Sequence, residues 1–428
     1  MIAALVLLLQ VSAAAPADSV PRVTLDQAIA RAARLDPNYV RALGQVDNAE
    51  WGRRAALATF ILPSLSASID ATKYSTEFFN IGTGVPQSNS VIANIQARYE
   101  LFSGRKFADL GRTAAEVEGA EANQLQQRFQ TALNTESDYY GVLQNQEFGR
   151  VARERIRRAE EGLAIARARV VAGAAVRSDS LQLVLELTQA RLEQLQRDAA
   201  LRVAQLQLGR RIGDAGPVDA APLDTLPAAD LPLALPDAVE LALRQGPQYR
   251  AARAGERAAS AALRAERGAY LPQVAVTANH TRFDVKFFPG ARNVSFISLG
   301  VTLPIWDDGR RELAVSQARV NRDVSRAIRE DLERSARRDV TAGYEAYRTA
   351  QATTALSGTA VLVARENYRV QESRYRAGAT TILDVLDAQV RLTQAEADLV
   401  QSRYAARLAL AGLEAILGHR LFTNRDVP

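Results

Sequence analysis

Apolar and polar residues alternate along this chain at two different periods, and each period occurs twice in the same order. The period of two comes first. In Leu65–Ala71 the odd positions are Leu65, Ala67, Ile69 and Ala71, with Ser64, Ser66, Ser68 and Asp70 between them. Val91–Leu101 sets Val91, Ala93, Ile95, Ala97, Tyr99 and Leu101 against Asn94, Gln96, Arg98 and Glu100. The second occurrence gives Val274, Val276 and Ala278 against Gln273, Thr277 and Asn279, then Ile297, Leu299, Val301, Leu303 and Ile305 on one face. Such alternation marks strands with one apolar face. It predicts strands over about 63–77, 90–102, 272–286 and 293–306, paired as two hairpins. The tips, Thr76–Ser90 and Lys286–Asn293, are rich in Gly, Asn, Ser and Pro, and aromatics flank both strand ends: Tyr74, Phe78, Phe79, Phe283, Phe287 and Phe288 near the tips, Tyr99, Phe102 and Trp306 at the bases.

After each hairpin the period becomes helical. No proline occurs between Pro86 and Pro217 or between Pro304 and Pro428, and apolar residues recur three and four apart, as at Phe107, Leu110, Ala114 and Val117. Helices are predicted over about 104–172 and 309–377. At about 1.5 Å per residue each is about 100 Å long, the length of a coiled coil rather than of a globular core. Each ends at a glycine, Gly173 or Gly378, where a left-handed residue permits reversal. The chain then returns as a helix over about 175–212 or 380–417. Ahead of each hairpin lies a shorter helical pair, Leu25–Leu35 and its continuation after Asp36-Pro37, and Leu235–Leu243 and its continuation after Gly246-Pro247.

The stretches Val170–Leu195 and Tyr375–Leu399 match at one constant offset: Gly173 with Gly378, Asp179 with Asp384, and Leu-Thr-Gln-Ala at Leu187–Ala190 with Leu392–Ala395. The chain is an internal duplication. It divides into a first repeat (18–212), a Pro/Ala/Asp linker (213–236), a second repeat (237–418) and a short tail (419–428). Residues 1–17, an apolar run ending in Ala15-Pro16-Ala17 without a charged start, have the form of a secretory signal peptide.

Composition narrows the functions. The 53 basic and 48 acidic residues are interspersed along helical faces, with no basic patch and interleaved aromatics, which sets nucleic acid aside. The chain contains no cysteine, and His280 and His419 lack metal-ligand spacing, so neither thiol chemistry nor a metal cofactor is expected. No nucleophile–base pair or phosphate loop is found, and an enzyme is not expected. An apolar strand face about ten residues long with aromatics at each end suits a membrane β-barrel. The other reading is a periplasmic coiled-coil scaffold with a small soluble sheet. Four strands cannot close a barrel, and open edges cannot sit in lipid, so spanning strands require several chains.

The duplicated order, and the run Tyr375–Gln389 (YRAGATTILDVLDAQ), resemble the TolC family of outer-membrane efflux channels. The resemblance covers nearly everything after residue 17. It implies a mainly α fold with a β-barrel contribution, in which duplicated helix–β-hairpin–long helical hairpin units build a trimeric α-helical barrel and a 12-stranded outer-membrane β-barrel. It also implies a homotrimer in outer-membrane lipid that docks a periplasmic membrane-fusion adaptor, itself joined to an inner-membrane efflux pump or ABC exporter. The channel is then the passive exit duct of a tripartite efflux or type I secretion system. Gly173 and Gly378, with Ala172, Ala174, Ala377 and Ala379, become the adaptor-docking tips. Tyr375 resembles a family tyrosine that holds the tip closed, and Asp179 its acidic partner.

Asp384 and Asp387, three apart, share a helix face near the tip. Two readings stay open: threefold rings of carboxylate that gate the lumen, as the resemblance implies, or acids that stabilise the first turns of the return helix through its dipole. Where well-known members carry an arginine two residues after the tip glycine, this chain has Thr380. Arg376 and Arg177 are the candidate substitutes.

Overall fold

The computed structural model describes residues 20–80, 84–223, 230–284 and 292–422. The stretch read as a signal peptide, and Phe287 and Phe288 at the second hairpin tip, lie outside them. The chain opens with a two-residue strand, β1 (Arg22–Val23), and helix α1 (Leu25–Leu35). Thr24 and Gln27 form a reciprocal capping box there, each side chain accepting from the other's backbone N–H. Asp36 caps α2 (Pro37–Ile61) by accepting from the amides of Asn38 and Tyr39. The hairpin β2 (Ser64–Asn80) and β3 (Val85–Phe102) follows, then α3 (Gly104–Val171, 68 residues) and α4 (Arg177–Ile212, 36 residues). After the short β4 (Asp219–Ala220) the second repeat gives α5 (Leu235–Gln245), α6 (Pro247–Gly268), β5 (Gln273–Asp284), β6 (Arg292–Thr302), α7 (Arg310–Arg376, 67 residues) and α8 (Ile382–Leu417, 36 residues). Among the described residues no helix is long and apolar enough to cross a membrane.

The two hairpins join into one antiparallel sheet in the order β2-β3-β5-β6. Register keeps the apolar rows together: Leu65 opposes Ala97, Ala97 opposes Ala278, and Ala278 opposes Ile297. The other face pairs Ser64 with Arg98 and Asn94 with Thr281, whose hydroxyl donates to Asn94 Oδ1 at 3.2 Å. The strand ends differ from the sequence reading in two places. The segment read as the first tip is strand as far as Asn80 and again from Val85, with a register shift between Lys73 and Phe78. Pro86 lies within this outer part of the hairpin, opposite Phe79 of β2. The last strand ends at Thr302 rather than near 306, ahead of Pro304.

Long α3 runs the length of the helical body. It packs on α2 and α6 near the sheet and on α4 and α8 farther away. The antiparallel α3–α6 seam is built from small residues at about heptad spacing: Gly104 against Gly268, Gly111 against Ala261, and Gly119 against Ala254. A Cβ on Gly268 would lie 2.5 Å from the Gly104 carbonyl carbon, so the two backbones are in direct contact where helix meets strand.

Midway along the body, the residues of the linker are not merely a connection. β4 pairs in parallel with β1, and Val218 and Ala220 are buried with Leu25, Ile29, Tyr139, Leu208 and Ile212. The Tyr139 hydroxyl lies 2.7 Å from Ala221 O and 3.3 Å from Val23 O, tying both ends of the first repeat together. Asp219 accepts from Gln146 and Gln205 and pairs with Arg22. After α8, Arg420 bridges buried Glu136 of α3 (2.8 Å) and Glu414 (2.5 Å), fixing the start of the tail across both repeats.

Because neither backbone at the Gly104–Gly268 contact can retreat cheaply, Gly268→Ala is expected to cost about 1–3 kcal/mol through overpacking. Thermal melting of helix content, followed by circular dichroism, measures this. A wild-type midpoint would mean that the two helices are not in backbone contact.

Candidate gate at the helical tips

Both helical hairpins turn in the same way. At the first, Gly173 (φ +73°) donates to Val170 O at 3.0 Å and Ala174 to Arg169 O at 2.8 Å. At the second, Gly378 (φ +79°) donates to Tyr375 O at 3.0 Å and Ala379 to Arg374 O at 2.8 Å. This is the paired-bond C-terminal cap that needs a left-handed residue, which is why glycine stands at both positions. Ala172 and Ala377 are the flanking helical caps, and Ala172, Ala174 and Ala377 are exposed with the glycines while Ala379 is exposed beside Gly378. In each turn an arginine four residues before the glycine also reaches forward: Arg169 donates to Ala174 O at 3.0 Å and Arg374 to Ala379 O at 3.3 Å.

The two tips are not equivalent beyond this. Where the first repeat has Val170, the second has Tyr375, 3% exposed and packed with Leu163, Ala166, Leu183, Ile382 and Val385 from the three surrounding helices α3, α4 and α8. Its hydroxyl donates to Asp179 Oδ2 at 3.2 Å. The Arg169 guanidinium lies over its ring, 4.4 Å from the centroid, and donates to the Tyr375 carbonyl. Burial, and then the Asp179 carboxylate, push the Tyr375 phenol above its usual value, so it remains a donor at all physiological pH. The tip is thus latched across repeats by Arg169, Tyr375 and Asp179.

Neither arginine expected to replace the residue missing at Thr380 stands in this latch. Arg376 pairs with Glu372 on its own helix at 3.0 Å, and Arg177 opens α4, where its carbonyl accepts from Ser180. The arginine that contacts Tyr375 is Arg169. Its signal in the sequence was the arginine at equal distance before Gly173 and Gly378 in both repeats. Thr380 serves α8, its hydroxyl donating to Asp384 Oδ2 at 2.6 Å.

Asp384 closes a capping box with Thr381: its Oδ2 accepts from the Thr381 amide at 3.0 Å and hydroxyl at 2.7 Å, while its own N–H donates back to that hydroxyl. The Thr380 hydroxyl, then the Thr381 hydroxyl and amide, bring its carboxyl down to about 2. Asp387 pairs with Arg391 one turn on, at 2.8 Å. Both acids remain exposed on one face of α8.

Above the latch lies a buried polar ladder that the sequence reading did not single out. Arg155 of α3 holds Glu186 (2.8 Å) and Glu193 (2.6 Å) of α4, and Gln389 of α8 donates to Glu186 at 3.0 Å. Arg158 of α3 reaches Glu396 of α8, which also meets Arg365 of α7. Two of these bonds, Gln389 to Glu186 and Arg158 to Glu396, join one repeat to the other. Among the described residues no cluster of three or more His, Cys, Asp or Glu could hold a metal.

The profile of the outer membrane efflux protein family matches residues 28–214 and 238–419, which is nearly the whole of both repeats. The chain belongs to that family. Its members are outer-membrane channels, not enzymes. Two relatives illustrate the range of similarity. The probable efflux pump outer membrane protein TtgC of Pseudomonas putida is 26% identical over 192 residues, 44% of this chain and 39% of that protein, so the chain matches only about two fifths of its length. The pyoverdine export outer membrane protein OpmQ of Pseudomonas aeruginosa is 27% identical over 415 residues, 92% of this chain and 85% of that one. The fold is shared with the outer membrane protein VceC of Vibrio cholerae, at a TM-score of 0.78 and 18% identity over 93% of this chain and 97% of that one.

In this family member the Asp384 capping interaction has a defined pH window. A carboxyl held below its ordinary range stabilises the fold at every pH above that range, and the stabilisation is lost only as pH falls through about 2. Hydrogen exchange at the first turn of α8, corrected for intrinsic rates, should therefore be flat from pH 7 to 4. Asp384→Ala should lose protection there throughout. A wild-type loss of protection between pH 6 and 4 would contradict the assignment.

Proposed function

We propose that this chain forms a homotrimeric outer-membrane channel, the exit duct through which a tripartite efflux or type I secretion system passes its substrates. The observation that carries this reading is an unfinished symmetry. Within one chain α3 packs against α6 and α8 of the other repeat. The pseudo-symmetric faces of α7, toward α2 and α4, carry no comparable packing, and α4 exposes Leu181, Leu185, Leu192 and Leu195. Likewise, among the described residues, β2 and β6 each have one edge without a partner in the sheet. A neighbouring copy completes both at once, α7 on the neighbour's α2 and α4, and β6 on its β2. Three copies of four strands make a twelve-stranded barrel in outer-membrane lipid, continuous with an α-helical barrel in the periplasm.

Conduction is passive in this reading, driven by an inner-membrane efflux pump or ABC exporter through a membrane-fusion adaptor. The adaptor meets the tips at Gly173, Gly378, Ala172, Ala174, Ala377 and Ala379, where small side chains let a partner helix approach closely. The gate is the Arg169–Tyr375–Asp179 latch, repeated three times. Asp384 and Asp387 form exposed acidic rings that favour cations at the constriction. Export of a small molecule such as that named for OpmQ is one use such a duct serves.

Two measurements test the proposal. Extracted in mild detergent, the protein should come from the outer-membrane fraction at the mass of a trimer; a soluble monomer in the periplasm would leave the sheet as an ordinary soluble one and make the chain a coiled-coil scaffold. In planar bilayers, Tyr375→Phe and Arg169→Ala should each raise resting conductance about tenfold or more, the change expected for about 1.4 kcal/mol removed from the closed state. Arg376→Ala should not. Wild-type conductance in both latch variants would remove the latch from the gate.

A further inference from the structure

The apolar face of the sheet gives way to polar residues on three strands, Lys73 of β2 standing four residues beyond the Arg282–Ala93–Ile69 rung. Leu65, Ala67, Ile69 and Ala71 give way to Lys73 on β2; Val274, Val276 and Ala278 give way to His280 and Arg282 on β5. On β6, Val301, Leu299 and Ile297 give way to Ser295 and Asn293. The ladder places His280 beside Ser295 and Arg282 beside Asn293, and all five of these polar residues, Lys73 included, are exposed. Lys73, Arg282 and Asn293 each stand eight residues along the strand from the first apolar residue of their row (65 to 73, 274 to 282, 301 to 293). At about 3.3 Å per residue and a tilt of about 40°, that is about 20 Å, close to the upper edge of an apolar band about 25 Å tall.

Directly below this edge the same face holds a shallow groove of about 530 Å³. Ala97 and Ala278, opposed in register, leave its floor open, and Ile95 and Ile297 wall it. His280 and Ser295 line its upper end, with Nδ1 and Oγ 2.8 Å apart. The combination is a narrow apolar trough with a polar pair at its head and a guanidinium one rung beyond.

We infer that this is a binding site for a phosphorylated lipid of the extracellular leaflet. One acyl chain lies in the Ala97–Ala278 trough, and the phosphate meets Arg282 and His280. Lys73, two strands away and four residues farther along the ladder, adds positive charge near the same edge. A cation facing hydrocarbon is costly, and a fork of N–H donors matched to a phosphate at headgroup depth converts that cost into a charge-assisted contact. The inference rests on the barrel reading, since only that reading puts this face in lipid.

The test uses the full chain purified from the outer-membrane fraction and three probes: bisphosphorylated lipid A, the same lipid dephosphorylated, and inorganic phosphate. Native mass spectrometry should show the bisphosphorylated lipid retained about tenfold over the dephosphorylated one, as about 1.4 kcal/mol of charge-assisted contact gives. Arg282→Ser combined with Lys73→Ser should abolish that preference. Ala278→Leu, which fills the trough and keeps the cations, should lower retention of the lipid. Each variant is first shown to elute at the wild-type mass. Equal retention of the two lipids by a membrane-embedded oligomer, wild-type retention in the variants, or full competition by millimolar inorganic phosphate would overturn the lipid site and leave the channel reading standing. A chain recovered only as a soluble monomer would overturn both.

Discussion

A strand at the edge of a sheet presents N–H and C=O groups that hydrocarbon cannot satisfy. Among the described residues, the four-stranded sheet of this chain has two such edges, on β2 and β6. Water could solvate them, but in the proposed barrel the apolar row from Leu65 through Ala97 and Ala278 to Ile297 faces lipid. The proposed closed sheet, shared among copies, satisfies both demands. The rest follows from that sharing. If the sheet closes by symmetry, the helices descending from it must close by the same symmetry, and the exposed apolar residues of α4 and α7 lie where a neighbouring copy would cover them.

Duplication makes such closure economical, since a repeat that fits its partner within the chain also fits the partner in the next one. The geometry of the two hairpin turns shows how far the equivalence goes: the same backbone bonds, the same positive-φ glycine, the same forward-reaching arginine. It also shows where it is broken. Tyr375 stands opposite Val170, and with it come the contact to Asp179 and the stacking of Arg169. The proposed gate needs an element that can be released while another holds, and the difference between Val170 and Tyr375 would supply it.

The two readings of Asp384 turn out to be compatible. It is tied to the first turn of α8 by three bonds to one oxygen, which keeps it ionised rather than neutralising it. A carboxylate that caps a helix and remains exposed still presents its charge to a lumen. Asp387, paired with Arg391, presents less of its own.

Most of the architecture was written in one dimension. Strand alternation, proline-free helical runs and tip glycines are local signals, each set by a backbone period or a φ angle that neighbouring residues impose. The sequence by itself determined the element order, the duplication and the positions of both turns. Its reading of Thr76–Ser90 as a tip failed because turn-favouring composition is local, whereas the pairing of Phe78, Phe79 and Asn80 with Gln87, Pro86 and Val85 is made across the hairpin. What only the tertiary structure decided were pairings between residues far apart in the chain: Arg169 on Tyr375, Glu186 between Arg155 and Gln389, Gly104 on Gly268, β1 on β4. An arginine on a helix face looks the same in sequence whether it meets water or a buried ring. The partner is chosen by how two helices, separated by the rest of the chain, come to cross.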